Sequence, residues 1–128
     1  TISKLSISIL KKLNFNLDRA IRRKNYNLFV SILKKNKNLT IPKKKLDKDD
    51  TPLFLPIFFQ NKRKRDHFKN FLIKNSIFFP THWKTIKETI NNYNLSSEMY
   101  DNELSIIIDG RINKHIKTIC NLLKKNLK

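Results

Sequence analysis

Glycine is almost missing from this chain: Gly110 is the only one in 128 residues. Loops that cradle nucleotide phosphates need several glycines so that backbone amides can approach the ligand, so Walker and Rossmann readings fail. Cysteine is equally scarce. Cys120 alone can form no internal disulfide and no zinc cluster, a usage that suits a reducing cytoplasm, and on the last helix it reads as a small buried apolar residue. The three histidines, His67, His82 and His115, are scattered, and His115 and Cys120 lie five apart, which is no helical ligand spacing. Only ten acidic residues are present, and Asp47, Asp49 and Asp50 sit in a lysine-rich stretch that offers no burial to raise a carboxyl pKa. No run approaches the roughly 18 uncharged apolar residues of a membrane span, and the longest, Leu53 to Phe59, is interrupted by Pro56. No membrane partner, no metal and no self-sufficient catalytic residue set is therefore expected.

What is abundant is Lys, Asn, Ile and Phe, which fill half the chain. All four can be encoded without G or C, so an AT-rich coding bias accounts for 22 Lys against six Arg. It does not account for the shortage of Asp and Glu, and part of the net charge of +18 stays unexplained. The apolar content of 39% is enough for a core, and the length fits one domain, residues 1–128. The start at Thr1-Ile2-Ser3-Lys4 has neither an initiator Met nor a secretory pattern and reads as a fragment.

Periodicity supplies the elements. Ile2, Leu5, Ile9 and Leu13 recur at helical spacing. After Asn14 and Asn16, either of which can cap, Leu17, Ile21, Leu28 and Ile32 form the stripe of a second helix, widened by Phe29 and Leu33. Its other face, with Arg19, Arg22, Arg23 and Lys34, reads as solvated. Lys43 to Pro52 is an exposed connection. Leu53 to Phe59 is a buried strand, expected at an edge or bulged at Pro56, which has no N–H to donate. Lys62 to Asn75 is a helix with Phe68, Phe71 and Leu72 on one face, and Ile77 to Phe79 resumes an extended pattern. Short helical turns are expected within Lys84 to Asn102, then a strand from Leu104 to Ile108, a turn at Asp109-Gly110, and a last helix striped by Ile112, Ile116, Ile119, Leu123 and Leu127. The fold class expected is α+β, a two-layer sandwich with a small three-stranded, mainly antiparallel sheet and helices packed on one face.

One segment stands apart: Asn75 to Trp83, where an extended run ends in Pro80 and delivers His82 beside Trp83. Spacing alone favours Trp83 packed on the core and a local hydrogen bond for His82. Taken together, Leu55-Pro56-Ile57, Arg65-Asp66 opening a helix, Ile77 to Trp83, and Leu104 to Arg111 resemble the C-terminal small domain of the DegT-type sugar aminotransferases, in order and in spacing. Arg22-Arg23-Lys24-Asn25-Tyr26 is similar to that family's R-R-x-N-Y helix. Ser76 stands where the family commonly has Gly, and Ile107 where it often has Pro.

The resemblance implies a fold-type-I enzyme whose pyridoxal phosphate is bound as a Schiff base by a large domain absent from this sequence. The large domain of the same polypeptide, a second copy in a homodimer, an amino-acid donor and a keto sugar attached to a nucleotide are the partners it implies. It assigns no catalytic and no cofactor-binding residue to this chain, and it nominates His82 and Trp83 for substrate contact. The competing expectation, from the charge and from runs such as Lys43-Lys44-Lys45 and Lys62-Arg63-Lys64-Arg65, is a small nucleic-acid-binding module without catalytic activity.

Overall fold

A computed structural model describes residues 3–82 and 94–126, with the side chains of 94–97 left aside. Each of the first three helices begins where a short polar side chain satisfies an amide that the helix itself cannot bond. Ser3 accepts from the Ser6 amide and opens α1 (Lys4–Lys12). Asn14 accepts from Leu17 and opens α2 (Phe15–Leu33), so of the two candidate asparagines it is the first that caps. Asn61 accepts from Lys64 at the start of α3 (Lys62–Lys74). A further helix, α4 (Asn94–Asn102), occupies the second half of the stretch expected to hold helical turns, whereas 84–93 lie outside the described residues. Asp109 caps a 3-10 turn (Gly110–His115), which runs into α5 (Ile116–Asn126).

The sheet is antiparallel throughout, in the order β1 (Leu39–Thr40), β2 (Phe54–Phe59), β3 (Glu103–Ile107). This bears out the α+β class, but the third strand is not the expected one. Ile77 to Phe79 is extended without joining the ladder, and only Pro80 reaches it, its carbonyl accepting from the Ser105 amide at 3.0 Å. The place is taken by the two residues of β1, too short to give an alternating pattern in the sequence. Pro56 is corrected with it. It lies in the central strand, unbulged and opposite Ser105. The strand tolerates it because β1 pairs only with Phe58 and Phe59, so no neighbour on that side asks Pro56 for a donor.

Alternation along β2 sorts its side chains. Leu55, Ile57 and Phe59 are buried on one face with Leu104 and Ile106 of β3. Against this face pack Tyr26, Phe29, Val30 and Leu33 of α2, Phe68 and Leu72 of α3, and Ile119, Cys120 and Leu123 of α5. Each large side chain removed from water in this way contributes about 1.5–3 kcal/mol. Phe59 and Phe68 meet at 5.3 Å between ring centres and tie α3 to the sheet. Burial pushes the Cys120 thiol above its ordinary pKa.

The buried face of α2 is rotated from the expected stripe: Leu17 and Leu28 are exposed, while Asn25 and Tyr26 turn inward. Polar anchoring sets that rotation. Asn25 Nδ2 donates to the Ile108 carbonyl at 2.9 Å and to Asn113 Oδ1 at 3.0 Å, and Tyr26 Oη donates to the Lys43 carbonyl at 2.5 Å. The neighbouring arginines are also corrected, because they are not a merely solvated face. Arg19 donates to the Lys48 carbonyl, Arg22 to that of Leu53 and Arg23 to those of Asp47 and Asp50, so α2 holds the 43–53 connection by its backbone.

α1 buries nothing, in contrast to α2, α3 and α5. Of the predicted stripe, Leu5, Ile9 and Leu13 are all at least half exposed, at 70%, 52% and 51%, and Ile2 lies outside the described residues.

Candidate functional site

The face of the sheet opposite the core presents Phe54, Pro56 and Phe58 of β2 and Glu103, Ser105 and Ile107 of β3. With Met99 and Tyr100 of α4 at its rim, it forms an open groove of about 510 Å³. Its walls are apolar, and its polar groups converge on one point. There His82 arrives on the segment that follows Pro80.

Phe54 and Glu103 hold His82. Its ring lies 4.5 Å from the Phe54 ring, tilted by 49°. Its backbone amide donates to Glu103 Oε2 at 3.3 Å, and Nδ1 stands 3.8 Å from Glu103 Oε1. Ser105 Oγ donates to Glu103 Oε1, so the carboxylate is held between a hydroxyl and an amide. The Glu103 side chain keeps only 11% of its exposure, whereas His82 keeps 27% and opens on the groove. Behind the carboxylate, the buried Arg65 donates from Nη1 to the Glu103 carbonyl at 3.2 Å. Its Nε lies 2.7 Å from Asp66 Oδ1 at an angle that makes the contact an ion pair without an aligned hydrogen bond. The Arg65-Asp66 pair that opens α3 thus clamps β3 at the residue that carries the site.

This arrangement can present an imidazole edge to a hydroxylated or anionic ligand while the phenyl and prolyl surfaces pack against its apolar faces. Of the two residues expected to touch substrate, His82 lies in the groove and Trp83 lies outside the described residues. Glu103 and Ser105 were missed. The signal for them is the period of two: they alternate with Leu104 and Ile106, so a strand whose apolar residues face the core must send both to the other side.

The described lysines are exposed on the surface, except the half-buried Lys69, whose Nζ reaches Thr81 Oγ1 at 3.5 Å. None of them is enclosed beside an acid in the manner that a pyridoxal phosphate ring and its Schiff base require, so the described residues do not form a seat for that cofactor. No group of three or more His, Cys, Asp or Glu able to hold a metal occurs among the described residues, and no described helix is long and apolar enough to cross a membrane.

No protein-family pattern matches the sequence, and no curated protein does. Among solved structures the fold recurs, and it recurs inside an aminotransferase. That structure is the Helicobacter pylori protein PseC, an aminotransferase involved in the biosynthesis of pseudoaminic acid, matched with a TM-score of 0.73 at 20% identity. The match covers 96% of this chain and 36% of the other, so the chain spans about a third of the protein whose fold it shares.

Proposed function

We propose that this chain is the C-terminal small domain of a pyridoxal-phosphate-dependent aminotransferase of the DegT type, acting on a keto sugar attached to a nucleotide and flanking the cleft where that sugar binds. The observation that carries the reading is the recurrence of nearly the whole chain as about a third of an aminotransferase. Collinear segments add to it, since Pro56, His82, Glu103 and Ser105 line one groove and Arg65 bonds the Glu103 carbonyl behind it. The cofactor supplies carbanion stabilisation, and its lysine and phosphate site belong to the large domain of the same polypeptide. This chain contributes binding: His82 contacts the sugar substrate, Trp83 borders it, and Phe54 and Pro56 exclude water from one side. The intact enzyme works as a cytoplasmic homodimer with an amino-acid donor.

His82→Ala in the intact polypeptide is expected to raise KM for the keto sugar nucleotide roughly tenfold, the worth of one hydrogen bond of about 1.4 kcal/mol, with the fold retained by circular dichroism. Unchanged steady-state kinetics with a folded variant would remove His82 from the site.

A further inference from the structure

Coding bias explains why lysine outnumbers arginine but not where the uncompensated charge goes. The described acids are unevenly placed. Asp18, Asp47, Asp49 and Asp50 pair with Arg22, Lys43 and Arg19 beside the 43–53 connection, and Asp109 pairs with Arg111. At the opposite end of α2, three chain segments converge on a hollow of about 410 Å³: the turn after α2, the start of α3 and the end of α5. Residues 34–38, 60–67 and 124–126 carry nine Lys and Arg and one acid, Asp66. Asp66 is taken by Arg65 and Asp101 by Lys62, and the other seven cations have no carboxylate partner among the described residues.

The hollow itself is lined by Arg63, Lys64 and His67 with the amide side chains of Asn36, Asn38 and Asn61, over a floor formed by Phe59 and Phe68. No acidic side chain lines it. Lys64 is held in place by neutral groups, donating to Asn38 Oδ1 at 3.1 Å and Gln60 Oε1 at 2.5 Å, which fix the ammonium without cancelling its charge. Asn61 spends its carbonyl oxygen on the Lys64 amide, which leaves the amides of Lys62 and Arg63 as first-turn donors without a helical acceptor. A cation held in place, Lys64, a second and exposed cation, Arg63, neutral amide side chains and the positive end of a 13-residue helix thus face one concave space.

We propose that this hollow is a binding site for the phosphate group of a ligand, separate from the His82 groove and independent of the aminotransferase reading. Arg63 and Lys64 provide the charge, and Asn38 and the α3 amides provide direction. A free phosphorylated metabolite and the backbone of a single-stranded nucleic acid share that chemistry.

The test titrates the ¹⁵N-labelled full chain with pyrophosphate at low ionic strength and follows backbone amide shifts. Saturable shifts are expected at Asn38, Arg63, Lys64 and His67. The paired substitution Arg63→Gln and Lys64→Gln should weaken binding at least about tenfold. Lys11→Gln with Lys12→Gln on α1, a control equal in charge, should leave it unchanged. A short single-stranded oligonucleotide that displaces pyrophosphate from the same amides identifies a phosphodiester backbone as the source, and one that does not identifies a small phosphorylated ligand. Shifts spread evenly over the surface, or equal weakening by both double variants, would overturn the site and leave only diffuse basicity.

Discussion

At the scale of single residues, Ser76 is the one described non-glycine residue with positive φ, at 59°. It ends α3: the Ser76 amide bonds the Ile73 carbonyl, and the Ile77 amide bonds that of Leu72. A left-handed conformation costs a side chain about 1–2 kcal/mol, part of which glycine returns through its greater freedom when unfolded. Ser76→Gly is therefore expected to raise stability by up to about 1 kcal/mol, read as a higher denaturant midpoint with an unchanged slope. The sequence already hints at this position, since Ser76 stands where the DegT-type pattern it resembles commonly has Gly. Single residues were otherwise legible in proportion to how local their partners are. His82 could be singled out from a short motif, but Glu103, its support, lies 21 positions away and is brought beside it only by the docking of residues 80–82 on β3. The inward turn of Asn25 is set by acceptors more than 80 residues distant, which no periodicity within α2 reports.

Elements were more legible than the residues within them. Each long helix announces itself by apolar spacing, and β2 and β3 by short aromatic or branched runs, because those patterns arise from one local face meeting one core. β1 and the extended 77–79 segment were exchanged because hydrophobicity reports burial, not ladder membership: Phe79 is buried without being paired, and Thr40 is paired while exposed. α1 shows the complementary limit. Its stripe predicted a helix correctly, yet no core receives that stripe. Leu5→Ser with Ile9→Ser should accordingly change the chain's stability by no more than about 0.5 kcal/mol in chemical denaturation, whereas Leu33→Ala in α2 should cost about 2–5 kcal/mol. A large loss on α1 would mean that its apolar face is covered in solution.

For the molecule as a whole, a charge of +18 on a small domain works against compaction, because like charges are brought closer by folding. The repulsion should be strongest near the hollow, where the seven cations without a carboxylate partner among the described residues gather. Raising sodium chloride from about 0.01 M to about 0.3 M shortens the screening length severalfold, so the melting temperature of the chain is expected to rise over that range. A phosphate-bearing ligand should produce the same rise at far lower concentration than chloride, since it binds the native state alone. Composition disclosed the size of this imbalance. Its location needed the fold, because the three contributing segments are separated by more than 20 residues in one case and more than 50 in the other.

The two flanks of the small sheet have an effect that reaches beyond this chain. Exposed strand borders ordinarily invite another polypeptide to add its own strand and so begin a fibre. Here the β3 flank is occupied by Pro80 and His82, while on the other flank the ladder stops at Thr40 and the next position exposed, Pro56, has no hydrogen to offer. Strand-by-strand growth is thereby hindered at the Ser105 and Pro56 positions, which matters for a protein so rich in isoleucine and phenylalanine.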